Sequence, residues 1–243
     1  MNDLYGIARI GFDQCRHRLE AIGLNAANAA RPGYRRQFAL DVAAAPAASG
    51  GVGARTTSAA SAGEGGRPVD LRPGAPMGTG RALDLAIEDE ELFFALTDGE
   101  RTWLTRAASF RLDAEGVLVG ERGLRVVGRD GEIRLDGEDV GIRRDGQIVR
   151  DGIVLGALQL FRPNDRSSLR SAGGALLSAA SGEHAVEAGN GRLRSGFLEG
   201  SNAEPARDLV ELVALTRQFE SLARVTQGYD ELLGRAIQQL GAV

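Results

Sequence analysis

The sequence predicts an α+β protein, with a heptad helix at each end of the chain and a central antiparallel all-β domain between them. Three observations carry this prediction: apolar residues recur at steps of three and four near both termini, short alternating strands fill the middle, and Asp-Gly pairs separate those strands. The 243 residues suffice for one elongated or two compact domains. We divide the chain into an N-terminal assembly helix at 1–36, a flexible or extended connector at 37–80, the β domain at 81–200 and a C-terminal assembly helix at 201–243.

The N-terminal helix is predicted from an apolar seam at heptad spacing. The seam consists of Ala8, Phe12, Cys15, Leu19, Ile22, Ala26 and Ala29. The helix should stop at Arg31-Pro32-Gly33-Tyr34, because a residue before proline leaves the α region and glycine favours a turn. Asn25 and Asn28 precede this stop. Since asparagine amides compete for backbone groups inside a helix, the pair indicates either a frayed end or specific amide contacts.

The middle of the chain has a β pattern. The stretch 41–66 is rich in Ala, Gly and Ser without a period, which is typical of a flexible or extended connector. A short strand is predicted at 69–74, the main β pattern covers 83–161, and a weaker β or irregular stretch follows at 167–191. The turn signals are Asp98-Gly99, Asp130-Gly131, Asp136-Gly137, Asp145-Gly146 and Asp151-Gly152. Short strands without intervening helices predict an antiparallel barrel or sandwich.

The C-terminal helix is the longest predicted element. Its seam consists of Leu212, Leu215, Phe219, Leu222, Thr226, Tyr229, Leu233, Ala236 and Leu240. Ser201, Asn202 and Glu204 belong to an S-x-x-E capping box that predicts its start. A helix of roughly 50 Å needs a partner, so the small-residue-rich N-terminal seam and this bulky one are predicted to pair as a coiled coil.

Composition excludes several function classes. The net charge is −4 with acidic and basic residues mixed along the chain, which argues against a nucleic-acid partner. All 29 basic residues are arginine, so Schiff-base chemistry and a P-loop lysine are excluded. A single cysteine excludes an intramolecular disulfide and a thiolate zinc site. The N-terminus lacks the pattern of a cleaved secretory signal, and no apolar run reaches bilayer-spanning length, so we expect no membrane insertion.

The search for chemistry yields no predicted catalytic, cofactor-binding or metal-binding residue. His17 and His184 lie on different predicted elements, and the acidic run 88–91 lacks the spacing of a calcium loop. One alternative is a secreted β-sheet carbohydrate-active hydrolase that is dimerised by its helices. Its acid and base would come from the carboxylates of Asp130, Asp136, Glu138 and Asp139. Another alternative is an adapter that binds a partner helix in a closed complex.

Several stretches resemble one known family. Residues 22–36 form an Asn- and Ala-rich helix end followed by Pro-Gly-aromatic-basic, residues 83–87 and Phe93-Phe94 match in the middle, and residues 196–202 and 217–220 match near the end. In this order they resemble the signatures of the bacterial flagellar rod, hook and hook-associated proteins. The departures from the family pattern are Leu24, Ala26, Arg31, Glu90 and Glu91, the last two of which replace glycines.

The resemblance implies a structural subunit without enzymatic activity or cofactor. It is most similar to the proximal-rod member, with the distal-rod member as the alternative. Such a subunit is exported by the flagellar type III apparatus without a cleaved signal and polymerises head-to-tail, with itself and other rod subunits, into the rod that crosses the periplasm. Assembly contacts are predicted at Ala8, Phe12, Cys15, Leu19, Ile22, Ala26, Leu212, Leu215, Phe219, Leu222, Tyr229 and Leu233. The helix-end motif is predicted at Asn25, Asn28, Pro32, Gly33 and Tyr34.

Overall fold

The computed structural model describes residues 3–39, 66–179 and 192–240, and it confirms the α+β class. Helix α1 (Asp3–Ala27) and helix α2 (Pro205–Leu240) flank a central region of antiparallel strands. The strands are β1 (Pro76–Gly78), β2 (Leu85–Ile87), β3 (Phe93–Thr97), β4 (Thr102–Thr105), β5 (Arg111–Leu112), β6 (Leu118–Val119), β7 (Arg125–Gly128), β8 (Gly131–Glu132), β9 (Gly141–Ile142), β10 (Gln147–Arg150), β11 (Ile153–Ala157), β12 (Leu160–Phe161), β13 (Leu169–Gly173), β14 (Leu176–Ala179), β15 (Leu193–Ser195) and β16 (Phe197–Glu199). Neither described helix is long and apolar enough to cross a membrane.

The described strands form four antiparallel sheets. The largest follows the order β13-β14-β4-β3-β7-β6-β5, with β12 also paired to β3 and β8 to β7. Three smaller sheets pair β1 with β16, β15 with β2, and β9 with β10 and β11. Strand β3 lies at the centre of the core, because Phe93 and Phe94 point to opposite faces and are both fully buried. The Phe94 ring packs edge-on against Phe110 at 5.2 Å between centroids.

The turns follow the Asp-Gly signals at most positions. Asp151 and Gly152 both have positive φ and connect β10 to β11, as expected of a two-residue hairpin turn. Gly99, Gly131 and Gly146 also have positive φ. The turn at 88–91 lacks the family's glycines and uses a side chain instead, since the Asp89 carboxylate accepts the Glu91 N–H at 2.9 Å.

The described part of the predicted connector is extended and hydrogen-bonded. Gln37 pairs with Val69, Pro68 pairs with Arg170, and β1 pairs with β16. The strand predicted at 69–74 is therefore wrong, because only the bridge at Val69 and the later strand β1 form. Residues 40–65 of the connector and residues 180–191, with His184, lie outside the described residues.

The capping box predicted at the start of the C-terminal helix is wrong. Helix α2 begins at Pro205, where a missing N–H costs no helical hydrogen bond. Ser201 Oγ instead accepts the Ala203 N–H at 3.1 Å, and the Glu204 carbonyl accepts the Asp208 N–H at 2.9 Å. Helix α1 likewise ends at Ala27, before the predicted stop at Arg31.

Candidate assembly interface

Helices α1 and α2 pack against each other in antiparallel orientation. The rings of Tyr5 and Tyr229 lie 5.7 Å apart between centroids near one end of the pair. At the other end, the Arg36 side chain beyond α1 reaches Asp208 in the first turn of α2. This contact brings together the two predicted seams, while coiled-coil pairing in the strict sense stays a prediction.

The predicted seam residues differ in how far the other helix covers them. Cys15, Ile22 and Leu215 are buried and form a small apolar cluster. Half-buried positions are Ala8, Phe12, Leu212, Leu222, Tyr229 and Leu233. Leu19 is 51% exposed and Phe219 50% exposed, although the Phe219 ring lies 5.1 Å from that of Phe12. Ala26 is exposed. The contact between the two helices therefore leaves part of the seams open to solvent.

A close approach of the two helices occurs at Gly11. A Cβ atom added there would lie 3.0 Å from a methyl carbon of Leu222. A methyl group at this distance needs the leucine side chain to move, so glycine allows the α1 backbone to lie directly on Leu222.

A cavity opens between the helices next to this contact, and we call it the interhelical groove. Its volume is about 680 Å³. Apolar side chains from both helices form most of its walls, with Asp13, Arg16 and Thr216 as its polar members. The lining consists of Phe12, Asp13, Cys15, Arg16, Leu19, Leu212, Leu215, Thr216 and Phe219. An open apolar groove on a helix pair is a surface of the kind that takes another protein.

Asn25 organises the chain just beyond α1. Its side-chain oxygen accepts the Tyr34 hydroxyl at 3.1 Å and the Gln37 N–H at 2.8 Å, and its amide nitrogen donates to the Gln37 carbonyl at 3.0 Å. Asn25 and Tyr34 are buried, and burial raises the pKa of the Tyr34 phenol to about 12. Asn28 instead donates to the Leu24 carbonyl at 2.8 Å, at the helix end. The amide contacts predicted as one alternative are thus present at Asn25.

Gly33 follows the half-buried Pro32 and lies directly on the β domain. Its φ is +69°, and an added Cβ would lie 2.2 Å from the Ala107 backbone nitrogen. Its N–H donates to the Glu199 carbonyl at 2.7 Å. Only glycine satisfies both the left-handed conformation and the contact distance.

A buried charged cluster joins this loop to the β domain. The Glu199 carboxylate pairs with Arg35, accepts Arg106 Nε at 2.7 Å and accepts the Gly74 N–H at 3.0 Å. Both arginine side chains are only 2% exposed. Burial lowers the pKa of Arg35, against the opposing attraction of Glu199.

A second charged contact joins the same loop to α2. The Arg36 side chain donates to Asp208 at 2.7 Å and to Glu211 at 3.3 Å. The Arg36 N–H donates to the Asn202 side-chain oxygen at 2.6 Å, so Asn202, predicted as a cap residue, connects the loop to the start of α2. We call the set Arg35, Arg36, Arg106, Glu199 and Asp208 the arginine junction.

The arginine junction is not among the predictions made from the sequence. The available signal was local: Arg35 and Arg36 follow the Pro-Gly-Tyr turn directly, and Glu199 lies between apolar Leu198 and Gly200. Arginine beside a structured turn and a carboxylate within an apolar run both favour a buried pair.

One alternative, the carbohydrate-active hydrolase, requires a pair of catalytic carboxylates. Among the described residues, no group of three His, Cys, Asp or Glu side chains could hold a metal ion. Asp136 lines a cavity of about 400 Å³ with Asp113 and Glu115. The Asp113 carboxylate, however, accepts the N–H groups of Glu115 and Val117, which gives it a role in the turn. The four proposed hydrolase carboxylates, Asp130, Asp136, Glu138 and Asp139, are all exposed.

Comparison with known proteins points to one kind of protein. Residues 194–239 match the family model "Flagellar basal body rod FlgEFG protein C-terminal". The chain is 32% identical over 231 residues to the flagellar basal-body rod protein FlgF of Salmonella typhimurium, covering 89% of each chain. It is 27% identical over 252 residues to the flagellar basal-body rod protein FlgG of Bacillus subtilis, covering 92% of this chain and 93% of the relative. It is 29% identical over 168 residues to the FlgF protein of Caulobacter vibrioides, covering 68% of each chain.

Proposed function

Because this chain belongs to the family of flagellar basal-body rod proteins, we propose that it is a structural subunit of the rod that polymerises head-to-tail through its terminal helices. The relatives are structural rod proteins, which fits a protein without enzymatic activity. Its place is the basal body, and its partners are other rod subunits and further copies of itself.

The observation that carries the proposal is the apolar surface that the helix pair leaves in water. Among the helix side chains that the structure describes, the large exposed apolar residues are Tyr5, Ile7, Leu19, Leu24, Leu209, Val210, Val213, Phe219, Val225, Leu232 and Ile237. Complete burial of one such side chain contributes roughly 1.5–3 kcal/mol. Neighbouring subunits that cover several of them would therefore gain enough free energy to associate.

In this proposal the parts of the chain have separate tasks. Segments 1–36 and 201–243 make the assembly contacts, and the β domain at 81–200 forms a body that the arginine junction fixes to the helices. The connector at 37–80 links them. Export proceeds through the flagellar type III apparatus.

The proposal is tested by charge insertion into the helix contact. Leu222→Asp places a carboxylate against the α1 backbone at Gly11, so the variant should fail to enter basal bodies while its β domain stays folded. Recovery in isolated basal bodies measures incorporation, and Trp103 fluorescence reports on the β domain. Gln227→Asp is the matched control, because Gln227 is exposed on the same helix and its change should be harmless.

Two results would contradict the proposal. Normal incorporation of the Leu222→Asp variant would show that the helix contact does not drive assembly. A light-scattering mass that reaches a fixed small multiple of the monomer as the concentration of wild-type protein rises would indicate the closed complex of an adapter instead. An open polymer grows in mass without such a plateau.

A further inference from the structure

A small cavity lies where the second half of α1, the loop at 36–39 and the first turns of α2 meet, and we call it the basic pocket. Its volume is about 160 Å³, the space of roughly five water molecules, which is enough for a carboxylate or phosphate group. Each of the three segments contributes one arginine to its lining, namely Arg18, Arg36 and Arg207. Among the described lining residues, only Glu211 has a carboxylate.

The three arginines of the basic pocket use few of their hydrogen-bond donors. Arg18 makes no hydrogen bond or ion pair with any residue in the described ranges. Arg207 has one contact, at 3.8 Å from the Glu204 carboxylate. The Arg36 guanidinium donates through Nη2 alone, and its Nε atom is buried without a partner in the part of the chain that the structure describes. Because buried donors normally have an acceptor, the basic pocket presents more donors than its own residues satisfy.

The charges of the basic pocket are not balanced. Its three guanidinium groups face two carboxylates, because Arg36 contacts Asp208 at 2.7 Å and Glu211 at 3.3 Å. Glu204 contributes little, since its side chain and that of Arg207 are both exposed and solvent screens their contact. Part of the wall is apolar and buried, and a lower dielectric strengthens the attraction between a guanidinium group and an anion. One further negative charge would therefore neutralise the pocket.

We infer that the basic pocket binds one oxyanion group, a carboxylate or a phosphate. The planar array of N–H groups on a guanidinium matches the oxygens of both. Two sources supply this chemistry: a free anion in solution, and an acidic side chain of a neighbouring subunit. The second source rests on the proposed function. Each copy carries suitable groups, because the exposed carboxylates of Asp130, Asp136 and Asp139 make no ion pair with other described residues.

The first measurement uses the purified full chain in dilute solution. Phosphate replaces chloride at constant ionic strength, and circular dichroism follows thermal unfolding. At ten times its dissociation constant, a bound anion raises the melting temperature of a chain of this length by roughly 3–6 °C. We expect this rise in the wild type and a severalfold smaller rise in Arg18→Gln and Arg207→Gln, whose side chains are exposed and whose loss leaves the arginine junction intact.

The matched control is Arg9→Gln. Arg9 is exposed on the same helix as Arg18, lies outside the basic pocket and makes no ion pair with a described residue. Its melting temperature should rise with phosphate as in the wild type. The general stabilising effect of phosphate acts on all these proteins alike, so only the difference between them reports on the pocket.

The second measurement identifies the source of the oxyanion. Arg18→Glu and the control Arg9→Glu are produced in cells, and their recovery in isolated basal bodies is compared. A severalfold loss for Arg18→Glu alone identifies an acidic side chain of a neighbouring subunit. Equal recovery of both variants, together with the phosphate effect, identifies a free anion.

The inference is overturned if phosphate stabilises the wild type and the pocket variants equally and Arg18→Glu is recovered as well as Arg9→Glu. Failure of the wild-type chain to enter basal bodies contradicts the proposed function instead. The phosphate measurement needs no assembly, so the two failures are distinguishable.

Discussion

Removal of the Glu199 carboxylate should destabilise the protein more than removal of any carboxylate on its surface. Glu199 is buried and faces two arginine side chains that are each 2% exposed. In Glu199→Ala, Arg35 and Arg106 keep only neutral hydrogen-bond acceptors among the described residues. These are the carbonyl oxygens of Arg72 for the first and of Asp89, Leu92 and Ile87 for the second. Breaking a buried ion pair by removing one partner costs about 3–5 kcal/mol.

This cost is large compared with the stability of a single domain, which is about 5–15 kcal/mol. For a chain of this length it corresponds to a melting temperature lower by roughly 6–20 °C. Urea denaturation followed by Trp103 fluorescence and by helical circular dichroism measures it. The matched control is Glu204→Ala, because Glu204 is exposed and lies 3.5 Å from exposed Arg72. Such a surface pair is worth about 0–1 kcal/mol.

The reasoning is refuted if Glu199→Ala loses no more free energy of unfolding than Glu204→Ala. That result would mean that the two arginines are solvated or re-paired at little cost. The arginine junction would then not be what fixes the helices to the β domain.

Three further predictions concern the end of α1 and the loop that follows it. Gly33→Ala should cost at least about 2 kcal/mol because its Cβ would lie 2.2 Å from the Ala107 nitrogen, whereas Gly23→Ala, in open space on α1, should be neutral or stabilising in thermal unfolding. Asn25→Ala should cost about 2–4 kcal/mol in urea, since it leaves the Tyr34 hydroxyl and the Gln37 N–H buried without their acceptor. The pKa of the Tyr34 phenol is about 12 in the folded protein and about 10 in the unfolded chain, so its contribution to the free energy of unfolding is complete below pH 10 and is lost as the pH rises towards 12. Tyr34→Phe should remove this part of the alkaline transition in an ultraviolet titration.

Matched changes separate these effects from general damage. Asn28→Ala removes a single bond at the helix end and should cost less than Asn25→Ala, so equal losses would contradict the special role of Asn25. Equal melting temperatures for Gly33→Ala and Gly23→Ala would contradict the close packing of Gly33 on Ala107. An alkaline transition that is unchanged in Tyr34→Phe would show that another group titrates there.

Apolar periodicity was sufficient to predict both helices and most of the β region, because burial on one face imposes the period directly. It also identified Cys15, Ile22 and Leu215 as buried. Periodicity could not reveal that Leu19 and Phe219 would stay half-exposed, since this depends on how two helices diverge around a groove. The sequence spacing of a seam contains no information on the distance between two helix axes.

The start of α2 shows why a local motif can fail. Ser201 and Glu204 have the spacing of a capping box. The Asn202 side chain between them, however, accepts a hydrogen bond from the Arg36 N–H and donates to the carbonyls of Asp70 and Arg72. Those partners come from residues more than 100 positions away in the sequence, so no local pattern could reveal them. With Asn202 held in this way, the helix starts at Pro205.

The chemistry of the arginine junction has a mechanical consequence. Apolar packing opposes separation but is non-directional, so two apolar surfaces can slide over each other. An arginine that is hydrogen-bonded to a carboxylate fixes an angle as well as a distance. Any twist of α2 about its axis would have to stretch the bond from Arg36 to Asp208, and any shear of the loop against the sheets would strain Glu199. Load applied to the sheets would therefore reach the helices through these directional ion pairs as well as through apolar packing.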